Sequence, residues 1–195
     1  MADIQTITQL RETSGAGMMD CKKALDESNG DIEKALEILR KKGDSKATKK
    51  LEERQTKEGV VYSYIHSNNK SGSMLELLCE TDFVARTEGF QLLARELALQ
   101  IVAMSPEYLS PDQVPSEVIE KEKEIYREQM RNEGKPAEMI EKIIEGKLNK
   151  FYEDTCLLKQ LYVKDDKLKI EDLIKQFIAK TGEKIEVGRF SCFKI

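Results

Sequence analysis

Long apolar runs are missing from this chain: nothing in its 195 residues approaches the roughly 20 consecutive apolar residues that cross a bilayer. An excess of basic charge is missing too. Lys+Arg 32 against Asp+Glu 36 leaves a net charge of −4, so there is no general phosphate-neutralising field and direct nucleic-acid binding is not expected as the main role. Cysteine is sparse. Cys21, Cys79, Cys156 and Cys192 stand far apart with no CxxC pair, which argues against a zinc knuckle or redox motif and predicts reduced thiols. Histidine occurs once, at His66, with no GxSxG motif beside it, and a Cys79–His66 pair would lack a third, orienting group. No GxxxxGKS or GxxxxGKT loop occurs, so the chain has no P-loop of its own. The start, Met1-Ala2-Asp3-Ile4, is neither a signal peptide nor an Arg-rich transit peptide and predicts a cytoplasmic protein. No catalytic residue, cofactor or metal site is expected.

What the chain does have is charge and helical periodicity: 35% of residues are charged and 39% apolar, within the range of a soluble globular protein with charged helices. Residues 1–43 read as three short helices. Ile4, Ile7 and Leu10 mark the first, Met18, Cys21, Ala24 and Leu25 the second, and Ile32, Ala35, Leu36 and Leu39 the third. Asn29-Gly30 reads as a turn, Asp31 as an N-cap, and Gly43 as a stop after Arg40, Lys41 and Lys42. Residues 44–57 are almost all charged or polar, with Leu51 the only large apolar side chain, and read as a solvated linker before a core domain at 58–195.

The core opens with a hairpin, Val60 to His66 and Met74 to Cys79 around Ser67–Gly72. Phe90, Leu93, Ala94, Leu97 and Ile101 then define an amphipathic helix beginning near Gly89, broken by Pro106, Pro111 and Pro115. Ser116 to Asn132 has helical propensity but few apolar residues and is expected mostly on the surface. Beyond Gly134-Lys135-Pro136, apolar positions recur at Ile140, Ile143, Ile144 and Leu148, with a second cluster at Leu157, Leu158 and Leu161. A last helix carries Ile170, Leu173, Ile174, Phe177 and Ile178 and closes at Gly182. Ile185, Val187, Arg189, Ser191 and Phe193 then alternate as a strand. The fold class is α+β: a three-helix N-terminal domain, and a core whose small, mostly antiparallel three-stranded sheet is packed by helices.

Two segments stand out as contact candidates. Gly15-Ala16-Gly17-Met18-Met19-Asp20 begins like a dinucleotide fingerprint, but a helix precedes it and Asp20 stands where the third glycine belongs, so a tight inter-helix turn is the better reading. Met18 falls on the apolar stripe and Met19 beside it, with Lys22 and Lys23 adding charge, and either core packing or an adaptable contact surface fits the pair. Thr81-Asp82-Phe83-Val84-Ala85-Arg86 places a carboxylate and an aromatic at a strand-to-helix turn. Thr81 or Asp82 could simply cap a helix with Phe83 packed back on the sheet, or the pair could be offered outward.

Three strings together resemble the elongation factor Ts family: Leu10 to Leu25 (LRETSGAGMMDCKKAL), Cys79 to Ala85 (CETDFVA), and Gly146 to Tyr152 (GKLNKFY). The resemblance implies a ubiquitin-associated-like three-helix domain at 1–43 and an α+β core. It implies guanine nucleotide exchange on elongation factor Tu, bound in its GDP-loaded and nucleotide-free states, by a protein that is not an enzyme. Met18, Met19 and Lys22 become partner contacts, and Thr81, Asp82, Phe83 and Val84 the segment that displaces the partner's magnesium. With one copy of the core and no inserted coiled coil, the chain resembles the short members, which are implied to form homodimers. Phe190, Cys192 and Phe193 on the last strand are candidates for that interface, or for burial in their own sheet. A ubiquitin-associated-type adaptor without exchange activity is the alternative, and it leaves the two later strings unexplained.

Overall fold

Ile7 and Leu10 lie on one face of the first helix, and their burial sets the geometry of the N-terminal residues. The computed structural model describes residues 4–39, 54–134 and 136–195. Helix α1 (Ile4–Ser14), α2 (Met18–Glu27) and α3 (32–39) enclose a cluster of Ile7, Leu10, Cys21, Ala24, Leu25, Ala35 and Leu39. Ile4, assigned to the same stripe in the sequence, is exposed at the helix start. Gly15 links α1 to α2 at φ +66, a left-handed conformation that glycine adopts without steric cost, which supports a tight turn over a dinucleotide loop. Asp31 caps α3 as expected, its Oδ1 accepting the Lys34 amide at 3.1 Å. That bond holds the Asp31 carboxyl below the usual range. The expected stop at Gly43, the basic run Arg40–Lys42 and most of the expected linker, including Leu51, lie outside the described residues.

The rest of that linker is not simply solvated. Arg54 pairs with Glu80 at 2.9 Å, the Thr56 hydroxyl donates to Glu186, and the Lys57 amide donates to the Cys79 carbonyl at 3.2 Å.

Strands β1 (Glu58–Ile65) and β2 (Ser71–Cys79) form the expected hairpin, closed by the His66 amide on the Ser71 carbonyl at 2.9 Å. After it come α4 (Asp82–Ala85), α5 (Glu88–Met104), α6 (Ser116–Asn132) and α7 (Ala137–Thr155). Strands β3 (Leu161–Tyr162) and β4 (Asp165–Lys169), helix α8 (Ile170–Thr181) and strand β5 (Ile185–Lys194) complete the order. The main sheet is antiparallel and runs β1-β2-β5, with β3 and β4 in a separate two-stranded sheet. The α+β class therefore stands. The described residues divide into two compact units, one holding the residues up to Gly59 with Leu78–Phe90 and Asp172–Glu186, the other Val60–Leu77, Gln91–Glu171 and Val187–Ile195.

In the second unit, the buried Ser73 hydroxyl donates to the Ala98 carbonyl at 2.7 Å and Cys192 Sγ to the Ile101 carbonyl at 3.6 Å, so α5 covers one sheet face. Helix α6 is as apolar-poor as expected, with Met130 its one buried residue. Ile119, Tyr126 and Met130 nevertheless meet Ile140, Ile144 and Leu148 of α7, making a helical pair.

Two sequence expectations need correction here. Leu161 is not buried with Leu157: it is exposed on β3, pairing with a β4 whose DDKLK sequence carries no strand alternation. The alternation in β5 also changes phase. Ile185 and Val187 are buried, whereas Arg189, Ser191 and Phe193 are exposed, and the switch falls at Gly188, which has no side chain to place on either face.

Candidate functional site

The segment after β2 is held by hydrogen bonds at both ends of its short helix. Thr81 has extended backbone, φ −131 and ψ 153, and is the N-cap of α4, its hydroxyl accepting the Val84 amide at 3.5 Å. Asp82 therefore occupies the first turn of the helix, not the cap. The Ala85 and Arg86 amides donate to the carbonyls of Thr81 and Asp82 at 3.2 and 3.1 Å, and Cys79 Sγ donates to the Thr81 carbonyl at 3.1 Å. Thr87 closes the turn. Its amide and hydroxyl both donate to the Val84 carbonyl, and the hydroxyl accepts the Phe90 amide at 3.3 Å, which starts α5.

On this fixed turn Phe83 is 81% exposed. It does not pack back on the sheet, so the capping reading holds for Thr81 and fails for the ring. Asp82 is half-buried and pairs with Arg86 at 3.0 Å across one helical turn, an exposed ion pair that orients more than it stabilises. Val84 is half-buried and Ala85 buried. The exposed ring is thus the exception among its neighbours, and leaving it in water forgoes about 2 kcal/mol of burial.

At the second candidate, Met18 is 47% and Met19 64% exposed, and Lys22 is exposed one turn on. Core packing of Met18 is corrected: Cys21, Ala24 and Leu25 alone carry the buried stripe of α2. The helix start is pinned by the Ser14 hydroxyl, which donates to the Leu10 carbonyl at 2.6 Å and accepts the Ala16 amide at 3.3 Å. Two flexible thioethers and a lysine therefore project from a rigid corner, the composition of an adaptable contact surface.

Cys79 and His66, the other pair weighed in the sequence, lie in different settings. Cys79 is buried, and desolvation followed by the nearby Glu183 and Glu58 charges pushes its thiol up to about 11, so it is no thiolate at neutral pH. His66 is exposed, 3.2 Å from the Tyr64 hydroxyl through Nδ1. Among the described residues, no three His, Cys, Asp or Glu side chains are grouped to hold a metal ion, and no helix is long and apolar enough to cross a membrane. The third string lies on α7. Leu148 is buried there, Lys147 Nζ sits 5.2 Å from the Tyr126 ring centre, and the Phe151 and Tyr152 rings meet edge-on, so this string builds the helical pair.

A family model described as elongation factor TS matches residues 5–194, which takes in all three strings. The chain belongs to the elongation factor Ts family. It is similar to elongation factor Ts of Fervidobacterium nodosum, 60% identical over 95% of this chain and 94% of that protein. It is 56% identical to elongation factor Ts of Thermosipho melanesiensis over 100% of this chain and 99% of that one. Elongation factor Ts of Petrotoga mobilis is 55% identical over 98% and 97% respectively. Membership places the chain among the translation elongation factors.

One feature of this site leaves no trace in the sequence. Glu183 Oε2 accepts the Thr81 amide at 3.1 Å and its Oε1 the Thr81 hydroxyl at 2.6 Å. In return Glu80 Oε1 accepts the Lys184 amide at 2.5 Å while also holding Arg54. Glu183 lies 102 positions from Thr81, and no local pattern marks either carboxylate.

Proposed function

We propose that the chain is a guanine nucleotide exchange factor for elongation factor Tu, a binding protein without catalytic chemistry of its own. The observation that carries this reading is the exposed Phe83 on a turn whose backbone is tied down. In this reading residues 1–43 are a ubiquitin-associated-like module that docks through Met18, Met19 and Lys22, and residues 58–195 are the core. Thr81, Asp82, Phe83 and Val84 enter the GDP-bound partner near its nucleotide and displace its magnesium. The factor works in the cytoplasm, on a protein partner, with no nucleic acid or membrane involved.

The mechanism is coupling. A protein that binds the nucleotide-free partner better than the GDP complex weakens GDP binding by the same factor, because linkage is reciprocal. Magnesium bridges phosphate oxygens and demands near-octahedral geometry, so moving its ligands or waters raises the energy of the bound state. Phe83 supplies the compensation: burying its ring in the partner is worth about 2 kcal/mol, roughly thirtyfold in an equilibrium constant. Asp82, oriented by Arg86, brings a carboxylate next to the disturbed ion. GDP leaves faster, and the nucleotide that replaces it is decided by concentration.

The sheet supports self-association as a homodimer. Its face away from α5 presents Val61, Ile65, Met74 and Phe193 to solvent, and the last three line a groove of about 310 Å³ together with Gly72 and Ile195. Exposed apolar side chains grouped in this way mark interaction sites. Of the three β5 residues considered from sequence, Phe193 faces outward, while Phe190 and Cys192 are half-buried. The deciding experiment is release of fluorescent GDP from elongation factor Tu with catalytic amounts of the chain, where acceleration is expected and its absence at every concentration overturns the proposal.

A further inference from the structure

We infer that Glu183 is a positioning residue for exchange: its carboxylate holds Thr81, and through Thr81 it fixes the short helix that presents Phe83. The inference rests on the function proposed above for the Thr81–Val84 segment.

Helix α4 has four residues, too few to be stable by itself, since nucleating a first turn is unfavourable without outside contacts. What holds it open to solvent with its ring outward must come from neighbouring chain. Glu183 accepts two bonds from a single residue, one from the Thr81 amide and one from the Thr81 hydroxyl. The second bond does more than tether. With its proton committed to Glu183 at 2.6 Å, the hydroxyl oxygen turns its lone pairs toward the Val84 amide, the cap bond of α4 at 3.5 Å. Donating to a carboxylate also polarises that oxygen and makes it a better acceptor. The cap of the helix carrying Phe83 is thus set by a carboxylate outside that helix.

Glu183 is itself held. Gly182 ends α8 at φ +78, with its amide on the Ile178 carbonyl at 2.8 Å, and the Glu183 amide reaches Thr181 Oγ1 at 3.4 Å. Lys184, next in the chain, donates its amide to Glu80, next before Thr81. The two segments therefore exchange carboxylates: Glu183 takes the backbone of one and Glu80 the backbone of the other. Such a cross-tie resists both sliding and rotation of the turn.

The test is a double-mutant cycle in the full chain with elongation factor Tu. Glu183→Ala is expected to slow the maximal rate of catalysed GDP release roughly tenfold to a hundredfold, the range for a misplaced working group. The concentration giving half-maximal acceleration stays within about twofold, because the three-helix residues still dock. Glu183→Gln recovers part of the rate, since its amide oxygen still accepts the Thr81 amide. In a Phe83→Ala background, Glu183→Ala adds nothing further. Multiplying effects of the two substitutions, or a raised half-maximal concentration at an unchanged maximal rate, overturns the inference.

A second measurement is independent of the partner. Hydrogen exchange in the free chain should speed up at residues 81–85 in Glu183→Ala while protection of α5 is kept, and unchanged protection at 81–85 overturns the clamp. If wild type fails to release GDP, or Phe83→Ala is as fast as wild type, the proposed function or its site falls, and hydrogen exchange still decides the hold of Glu183 on the turn.

Discussion

Phe83 stands 81% exposed, while Phe90, on the following helix, is fully buried with its ring centre 6.4 Å from that of Phe177. The two phenylalanines are close in sequence and have opposite tasks. Phe90→Ala is expected to lower stability by about 3–5 kcal/mol, the usual result of emptying a buried ring site. Phe83→Ala should shift stability by no more than about 0.5 kcal/mol. Urea denaturation of both variants checks the contrast, and catalysed GDP release should slow roughly thirtyfold, to a rate still measurable, in Phe83→Ala although the fold is intact.

Met18 and Met19 lead to a binding prediction. Both are exposed, so replacing them together with alanine leaves the cluster of Leu10, Cys21 and Leu25 untouched. Affinity for elongation factor Tu is expected to fall about tenfold or more, since two buried contact side chains are lost. Calorimetric titration reads this directly, and an unchanged dissociation constant removes the pair from the interface. Lys22→Glu should weaken the same complex, more at low salt than at high salt.

Alkaline pH should destabilise the fold through a thiol and a phenol that the folded chain holds protonated. Cys79 is raised from 9.0 to about 11, chiefly by burial, so the folded chain keeps this proton longer than the unfolded chain does. Its contribution is complete below pH 9.0 and is lost as pH rises toward 11. Tyr162 acts in the same direction above its ordinary 10.0, through burial and then its hydrogen bond to Glu96. The melting temperature should fall across this window, and Cys79→Ala should flatten the part below pH 10. An equal slope in the variant would show that Cys79 ionisation is not responsible.

The sheet face yields a prediction about mass. The chain is 22.3 kDa, and light scattering should report about twice that. Met74→Asp with Phe193→Asp should return the single-chain value without unfolding, because both side chains are already in solvent. A wild-type chain that scatters as a monomer at micromolar concentration overturns self-association.

Much of the fold was legible because it follows from local rules. Helical spacing located α1 to α3 and α5, β-branched and aromatic residues located β1, and the Gly15 turn and Asp31 cap follow from backbone and side-chain chemistry. Strands β3 and β4 were not legible. Their stability comes from pairing with each other and from Gln100, which donates to the Leu161 carbonyl at 3.0 Å and accepts the Val163 amide at 2.9 Å, and neither leaves a periodic trace.

By itself the sequence determined the α+β class, the order of the main elements and, through three strings of residues, the family. Tertiary structure decided which way the contact residues face. Periodicity placed Met18 on an apolar stripe and left Phe83 open between sheet and solvent, yet both are exposed. Side-chain direction at a helix start depends on what packs beside it, and at Thr81 it depends on a carboxylate 102 positions away. A contact over that separation is specified by the whole folded chain and not by any window of it.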